Sequence, residues 1–540
     1  MKIQKYSYTN IKATTPLLGE TIGENLLNTV KKYPDNEALV SKHQNYRATY
    51  KEFYDQVNHL AKSLLADGVV LGDRVGMWSP NRYEWTLVQY ATAQIGAILV
   101  NLNPAYRTHE LKFAINQSGI SYIICPVAYK TSEYKKMLES VSENCISLEK
   151  VIYLDTPDWD LLLEKGHTIT EEVYNEAINK LDFDQPINIQ YTSGTTGFPK
   201  GVTLSHHNVL NNGYFVARRL NYTDADRVCI PVPFYHCFGM VIGNLACTSH
   251  GACMVIPSEG FDAALALKAV EEEKCTSLYG VPTMFIAELS LENFKDYNLS
   301  SLRTGVMAGA TCPEEIMKRV QSEMNMKDVT VCYGMTETSP VSLQTTIGTP
   351  LDKQVSTVGT VMEHLEVKII NPENGNIQPI GEEGELCVRG YSVMLGYWNN
   401  IETTQEVIDN ARWMHSGDLA VMDDEGYVCI SGRIKDLIIR GGENISPKSI
   451  EDFLYTHPKV LDIQIIGVPS EKYGEEIMAW VKLHHGVQCS DSELLAFCKN
   501  QIAHYCVPKY WKFVNEYPMT VSGKIRKVEM RETAIKELSL

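Results

Sequence analysis

From Tyr46 onward, helical periods of apolar residues alternate with short apolar runs bounded by turn residues, a rhythm that points to an α/β architecture. Phe53 to Leu65 reads as helix, Arg74 to Trp78 as strand and Tyr83 to Ile95 as helix. The pattern recurs through Ala97 to Leu102, Glu110 to Gln117 and Ser121 to Cys125, then through Ala252 to Ile256, Ala263 to Glu273 and Ser277 to Tyr279. Such runs predict parallel-rich sheets with helices on their faces. After about residue 360 the rhythm changes. Glu366–Ile370, Gly384–Arg389 and Gly426–Ile430 read as short strands separated by turns, which predicts a small antiparallel subdomain over about 360–432. Beyond it, residues 433–540 read as a separate α+β domain, with the main boundary near Arg433 to Asp436 and residues 1–432 forming the N-terminal domain.

A chain of 540 residues is too long for one core, and 44% hydrophobic with 21% charged residues leaves ample apolar material to bury. The formal net charge of −17 argues against nucleic acid as a general partner, because phosphate backbones need a basic surface. Fourteen cysteines lie scattered without a Cys-x-x-Cys pair or a cluster with histidine, as expected of small core residues in a reducing compartment. The first residues carry neither an apolar signal core nor transit-type arginines, so the expected location is cytoplasmic. No apolar run is long enough to cross a bilayer, and any membrane contact would be peripheral. The assembly is expected to be a monomer or a homodimer.

The stretch Tyr191-Thr192-Ser193-Gly194-Thr195-Thr196-Gly197-Phe198-Pro199-Lys200-Gly201 is dense in hydroxyls and glycines and ends in a lysine. Glycines let backbone N–H groups approach an anion, hydroxyls add donors, and Lys200 adds a compact positive charge. Pro199 stands where a Walker loop needs glycine, so an ordinary P-loop NTPase is disfavoured. The alternative is a polar surface turn. Ahead of the loop Ile187–Gln190 alternates as a strand does. Behind it, Ser205 can cap a helix running from Val209 to Leu220.

Five further constellations carry chemistry. Tyr333-Gly334-Met335-Thr336-Glu337 closes the apolar run Val329–Cys332, offering a ring for a base, a hydroxyl for phosphate and a carboxylate for magnesium; a helix start is the alternative. Gly309-Ala310 follows the strand-like Thr304–Met307 and leaves room for a flat ring, although tight packing explains small residues equally well. Asp418 in His415-Ser416-Gly417-Asp418 and Arg433 in Gly432-Arg433-Ile434-Lys435 suit a ribose, or a mere surface ion pair. Lys524, after Ser522-Gly523, can extend from a loop tip into a cleft, or belong to a basic surface tail. His236, among aromatics in Pro233–Gly239, suits either a hydrogen-bonded core position or the mouth of an apolar acyl pocket.

Taken in order, the phosphate loop, Tyr333–Glu337, Ser416–Asp418, Gly432–Asp436, Gly441-Gly442-Glu443-Asn444-Ile445 and Ser522–Lys524 resemble the adenylate-forming superfamily of acyl-CoA synthetases, peptide-synthetase adenylation domains and firefly luciferase. The resemblance covers about Leu26 to Leu538. Tyr235–Cys237, Tyr333–Val341, Met394–Trp398 and Ile439–Ile445 look most like the medium-chain acyl-CoA synthetase branch known as family member two. Animal members of that branch carry mitochondrial targeting, so a bacterial cytosolic relative is the simpler expectation.

The resemblance implies a mobile C-terminal domain and a role for each matching residue. Thr192, Ser193, Gly194, Thr195, Thr196, Gly197, Phe198, Pro199 and Lys200 would clasp the ATP phosphates. Gly309, Ala310 and Tyr333 would hold adenine, Asp418 and Arg433 the ribose, Thr336 the α-phosphate and Glu337 the Mg2+. Lys524 would bridge the attacking carboxylate and the α-phosphate, and His236 would stand with Thr336, Glu337 and Lys524 in the catalytic set. Lys435 matches the hinge, and Gly441 and Gly442 lie where the pantetheine arm of CoA would pass. The activity implied is ATP-dependent ligation of a medium- to long-chain fatty acid to CoA through an acyl-adenylate, releasing AMP and pyrophosphate. Two alternatives stand beside it: adenylation of an amino or aryl acid, and a catalytically silent nucleotide-binding protein. Phe261-Asp262-Ala263-Ala264 has the letters of an amino-acid-binding motif but reads as a helix cap.

Overall fold

The computed structural model describes residues 5–192, 199–310, 312–440, 443–499, 501–519 and 525–540, without the Asn444 side chain. It divides into two compact units. One comprises Thr9–Val367 with Val388–Met414, the other Met1–Tyr8, Lys368–Cys387 and His415–Leu540.

The larger unit holds two sheets. In the first, nine strands run in the order Thr360–Val361, Val341–Gln344, Asp328–Gly334, Thr304–Ala308, Ser277–Gly280, Arg227–Cys229, Cys253–Ile256, Glu37–Ser41 and Tyr46–Thr49. The six central strands are parallel and the pairs at both edges antiparallel. In the second, seven strands run in the order Gly396–Tyr397, Lys200–Ser205, Pro186–Thr192, Ile98–Leu102, Arg74–Trp78, Tyr122–Pro126 and Lys150–Leu154. Its five strands from Pro186–Thr192 onward are parallel and the first two pairings antiparallel. The expected α/β class with parallel-rich sheets is what the chain forms.

Local chemistry accounts for the helices that cover these sheets. Thr49 caps Tyr50–Ala66 and exchanges a reciprocal hydrogen bond with Glu52, and Phe53, Val57, Leu60, Ala61 and Leu64 form one buried stripe. Tyr83–Ile95 is buried nearly all round and stops at Gly96, whose φ of 71° ends the helix in the left-handed region. Ser205 caps His206–Arg219 as expected, paired with Asn208. Asp262 accepts from the Leu265 N–H as the cap of Ala263–Glu273, which agrees with the helix-cap reading of that motif. Arg219, at the end of its helix, donates to the carbonyls of Gln344, Thr360 and Val361 and pairs with Glu363. Its buried charge is thereby compensated while it ties the antiparallel edge together.

In the smaller unit, Asp418–Met422 pairs antiparallel with Val428–Arg433 and has the segment Gly384–Cys387 on its other side. A further sheet is built around the long hairpin Val460–Ser470 with Gly474–Leu483, flanked by Ile438–Arg440 and Tyr510–Phe513. Helices Pro447–Tyr455 and Asp491–Cys498 contribute Ile450, Leu454, Leu494 and Cys498 to its apolar core. Among the described residues, no helix is long and apolar enough to cross a membrane. All fourteen cysteines are free thiols, and all but Cys429, Cys489 and Cys506 are buried.

Candidate active site

Two neighbouring parallel strands of the nine-stranded sheet bring the first residues together. Ala308 lies opposite Cys332, so Gly309 and Tyr333 emerge side by side at the carboxyl ends of their strands. That edge is where open α/β sheets take ligands. Gly309 has a φ of 88°, a conformation that favours glycine, and a Cβ there would also press on Val281 Cγ1 at 3.2 Å. Ala310 is exposed and Tyr333 half-buried beside it.

Past Tyr333 the register shifts, and the chain folds back sharply. A Cβ on Gly334 would lie 1.7 Å from the Pro340 carbonyl oxygen, a clash with backbone that cannot yield cheaply. Thr336–Thr338 forms one tight helical turn, and the chain then enters the strand Val341–Gln344. The helix start weighed for Thr336 and Glu337 is thus present, but only as this single turn.

Glu337 is buried, 6% exposed, and accepts a hydrogen bond at Oε1 from the Tyr397 hydroxyl at 2.9 Å. Its carbonyl accepts from the Met394 N–H, also at 2.9 Å. Burial first, and the Glu337 carboxylate second, push the Tyr397 phenol well above its usual range, so it remains a donor. The same ring lies 5.0 Å from Lys200 Nζ, a cation–π contact. Backbone pairing fixes that arrangement: Tyr397 sits opposite Val202, and the Trp398 N–H donates to the Gly201 carbonyl at 2.7 Å. Lys200 itself sits opposite Thr192 in the hairpin that flanks the phosphate loop. Lys200, Tyr397 and Glu337 thus form a chain linking the two sheets of the larger unit.

His236, half-buried with its ring 5.5 Å from that of Tyr235, precedes Cys237 and the wholly buried run Met240–Leu245, apolar but for Asn244. The Cys237 thiol donates to Gln190 Oε1 at 3.2 Å. It is raised well above its usual value, by burial most and by the nearby Glu337 carboxylate next. Gly213 permits the run to pack closely on its helix, since a Cβ there would lie 2.9 Å from the Val241 carbonyl.

Within the smaller unit, Asp418 and Arg433 are cross-strand partners, and Arg433 Nε donates to Asp418 Oδ1 at 3.0 Å. The Asp418 side chain is 10% exposed and that of Arg433 62%. The segment before Asp418, part of the strand Met414–Met422, is fixed from the adjacent strand. Glu385 accepts from the Gly417 N–H at 3.1 Å and lies 2.9 Å from His415 Nδ1, while the Ser416 hydroxyl donates to the Leu386 carbonyl at 2.6 Å. Lys435 lies exposed on the short turn Ile434–Asp436. Ser193, Gly194, Thr195, Thr196, Gly197, Phe198, Gly441, Gly442 and Lys524 lie outside the described residues.

A profile described as AMP-binding enzyme matches residues 26–398, more than half of the chain, and one described as AMP-binding enzyme C-terminal domain matches 449–524. The chain belongs to the AMP-binding enzyme family. The protein YngI of Bacillus subtilis (strain 168) is 47% identical over 97% of this chain and 99% of its own length. The Danio rerio protein named medium-chain acyl-CoA ligase ACSF2, mitochondrial, is 44% identical over 99% of this chain and 91% of its own. Among solved structures, ATP-bound MatB from Rhodopseudomonas palustris superposes with a TM-score of 0.86 at 25% identity, covering 97% of this chain and all of that one. The expectation of an AMP-forming acyl-CoA synthetase with the adenylate-forming fold is met at the level of the family.

Two residues escaped the sequence reading. Tyr397 is recognisable there only as part of a phrase, because its partner Glu337 is 60 residues away. Glu385 gave no signal at all. The expectation that no cysteine clusters with histidine holds along the chain but fails in space: Glu385, Cys387 and His415 converge, as do His457, Cys489 and Glu493.

Proposed function

We propose that this chain ligates a medium- to long-chain fatty acid to CoA in two steps at one site. The carboxylate attacks the α-phosphorus of ATP and pyrophosphate leaves; the CoA thiol then attacks the acyl carbonyl and AMP leaves. The observation that carries the reading is the Lys200–Tyr397–Glu337 chain beside Gly309 and Tyr333. It brings a cation, a fixed carboxylate and a half-buried ring near the carboxyl ends of the parallel strands. The names of the full-length relatives support the choice of acid.

In this proposal Thr192 to Lys200 hold the phosphates, Gly309, Ala310 and Tyr333 the adenine, Asp418 and Arg433 the ribose, and Thr336 the α-phosphate. Glu337 suits Mg2+: it is a hard oxygen donor, and its orientation is fixed by Tyr397 through one oxygen. The bound ion would offset charge on the phosphate oxygens. Lys524 brings the two anions together. His236 and the buried run behind Cys237 bound the acyl pocket. No protein nucleophile is required, because positioning and fixed charges suffice. The two steps need different surfaces around one adenylate, so the C-terminal domain, 433–540, turns about Lys435 and presents Gly441 and Gly442 to CoA. A cytoplasmic location completes the proposal.

The test is ATP-dependent release of AMP and pyrophosphate with straight-chain, branched, aromatic and amino acids, with and without CoA. Turnover that requires both an aliphatic acid and CoA is the expected result. Turnover on aryl or amino acids alone reassigns the substrate, and none with any acid favours a silent nucleotide binder. As a test of the hinge, Lys435→Pro slows thioester formation more than adenylation; equal kinetics in both half-reactions would remove Lys435 from its role.

A further inference from the structure

In a strand, side chains two apart share a face, so Glu385 and Cys387 point the same way from Gly384–Gly390. His415, on the neighbouring strand Met414–Met422, projects to meet them. Its Nδ1 lies 2.9 Å from Glu385 Oε2 and 3.7 Å from Cys387 Sγ, and one ligand atom from each residue falls within 4.8 Å of the others. A tetrahedral zinc ion with ordinary bond lengths sets sulfur and nitrogen about 3.6 Å apart and oxygen and nitrogen about 3.4 Å apart. The sulfur–nitrogen edge already has that length, and the oxygen–nitrogen edge needs to open by about half an ångström. Glu385 and Cys387 are buried and His415 half-buried, a setting that favours a desolvated thiolate–imidazole–carboxylate donor set.

The second cluster, His457, Cys489 and Glu493, differs in a decisive respect. The Lys459 ammonium lies 2.8 Å from Glu493 Oε1 and 2.9 Å from Oε2, so a cation already occupies that carboxylate.

We propose that Glu385, Cys387 and His415 form a three-ligand site for a thiophilic divalent cation of the zinc class, and that its occupancy weakens nucleotide binding. Coordination releases the Cys387 thiol proton to solvent and leaves the fourth position for water. The coupling follows from position. Glu385 Oε1 holds the Gly417 N–H beside Asp418, and His415 precedes Asp418 by three residues on the same strand. Opening the Glu385–His415 contact shifts Glu385, and with it the hydrogen bond that holds Gly417 beside Asp418. This second half rests on the ribose reading of Asp418.

Cobalt(II) is the probe, titrated into chelator-treated full-length protein under excess Mg2+, with AMP affinity measured by calorimetry in parallel. Expected are one Co2+ per chain with a thiolate-to-cobalt charge-transfer band, and an AMP affinity lower by about tenfold, within the usual range of coupling between sites. Cys387→Ser abolishes the band, retains metal-free AMP affinity and turnover, and becomes insensitive to Co2+; Cys489→Ser changes none of these. If Cys387→Ser does not fold, metal protection of Cys387 against alkylation in the wild-type chain reads out the same ligand. No thiolate band, or a band that survives Cys387→Ser, overturns the site. A band with unchanged AMP affinity overturns the coupling alone where Asp418→Ala still weakens AMP, and overturns the ribose reading as well where it does not.

Discussion

Glu337 and Asp418 are the two carboxylates assigned to the nucleotide, and they are held in opposite ways. Glu337 is buried, bonded through its side chain to a neutral phenol and through its carbonyl to the Met394 N–H. Asp418 stands on a hairpin with a cation as its partner, and that cation, Arg433, is mostly exposed. A buried carboxylate needs every contact fixed in advance, because its desolvation is offset only by well-placed donors. Asp418 is buried too, 7% exposed, but the guanidinium paired with it is mostly exposed, and solvent screening keeps such a pair weak. The first arrangement is preorganised for charge that develops during reaction. The second suits a contact that is made when the ligand binds.

The largest expected effects break the comparison at the reacting phosphate. Glu337→Gln should cut adenylation by about a hundred- to a thousandfold, the usual loss for one transition-state contact. Lys524→Ala should lose a similar factor while sparing CoA transfer from supplied acyl-adenylate; equal loss in both half-reactions would end its assigned role. Tyr397→Phe removes one hydrogen bond to a charged acceptor, a loss of about 1.5 kcal/mol or roughly tenfold in adenylation. Retention of wild-type kinetics in this variant would mean that Glu337 is held without its phenol. Arg433→Ala should raise the KM for ATP several-fold while changing thermal stability by only about 1 kcal/mol, since the guanidinium it removes is mostly exposed. Comparable loss of both would place Arg433 in the scaffold.

The smallest effect on catalysis, and the clearest on stability, concerns a buried carboxylate outside the site. Burial would raise Glu273, but its contacts with Arg47 and Lys42 outweigh this and hold it down at about 2. A depressed carboxylate stabilises the fold at pH values above its unfolded value, about 4.3, and that contribution disappears as the pH falls toward 2. Thermal melts from pH 7 to pH 2 should show Glu273→Gln less stable at neutrality and flatter through the acid limb. Identical acid limbs would show that Glu273 is ionised alike in folded and unfolded chains.

Much of the scaffold was legible along the chain. Tyr83–Ile95 and Ala263–Glu273 have the ends read from periodicity, and Ser205 and Asp262 are the caps they were read to be. Capping and amphipathic spacing act within one or two turns, so the residues that decide them are neighbours in sequence. The strand Gly396–Tyr397 had no such signal. It is two residues long and exists because Lys200–Ser205 offers it a partner.

The same division separates the residues of the site. The sequence by itself determined which side chains can handle phosphate, ribose and carboxylate, and that Tyr333–Glu337 closes an apolar strand. Only the tertiary structure decided that Tyr397 reaches Glu337 across 60 residues, that Lys200 lies against the same ring, and that Glu385, Cys387 and His415 share one face across two strands. Hydrogen bonds and metal coordination act over about 2 to 3 Å. Sheet register, set by long-range backbone pairing, brings distant residues within that range.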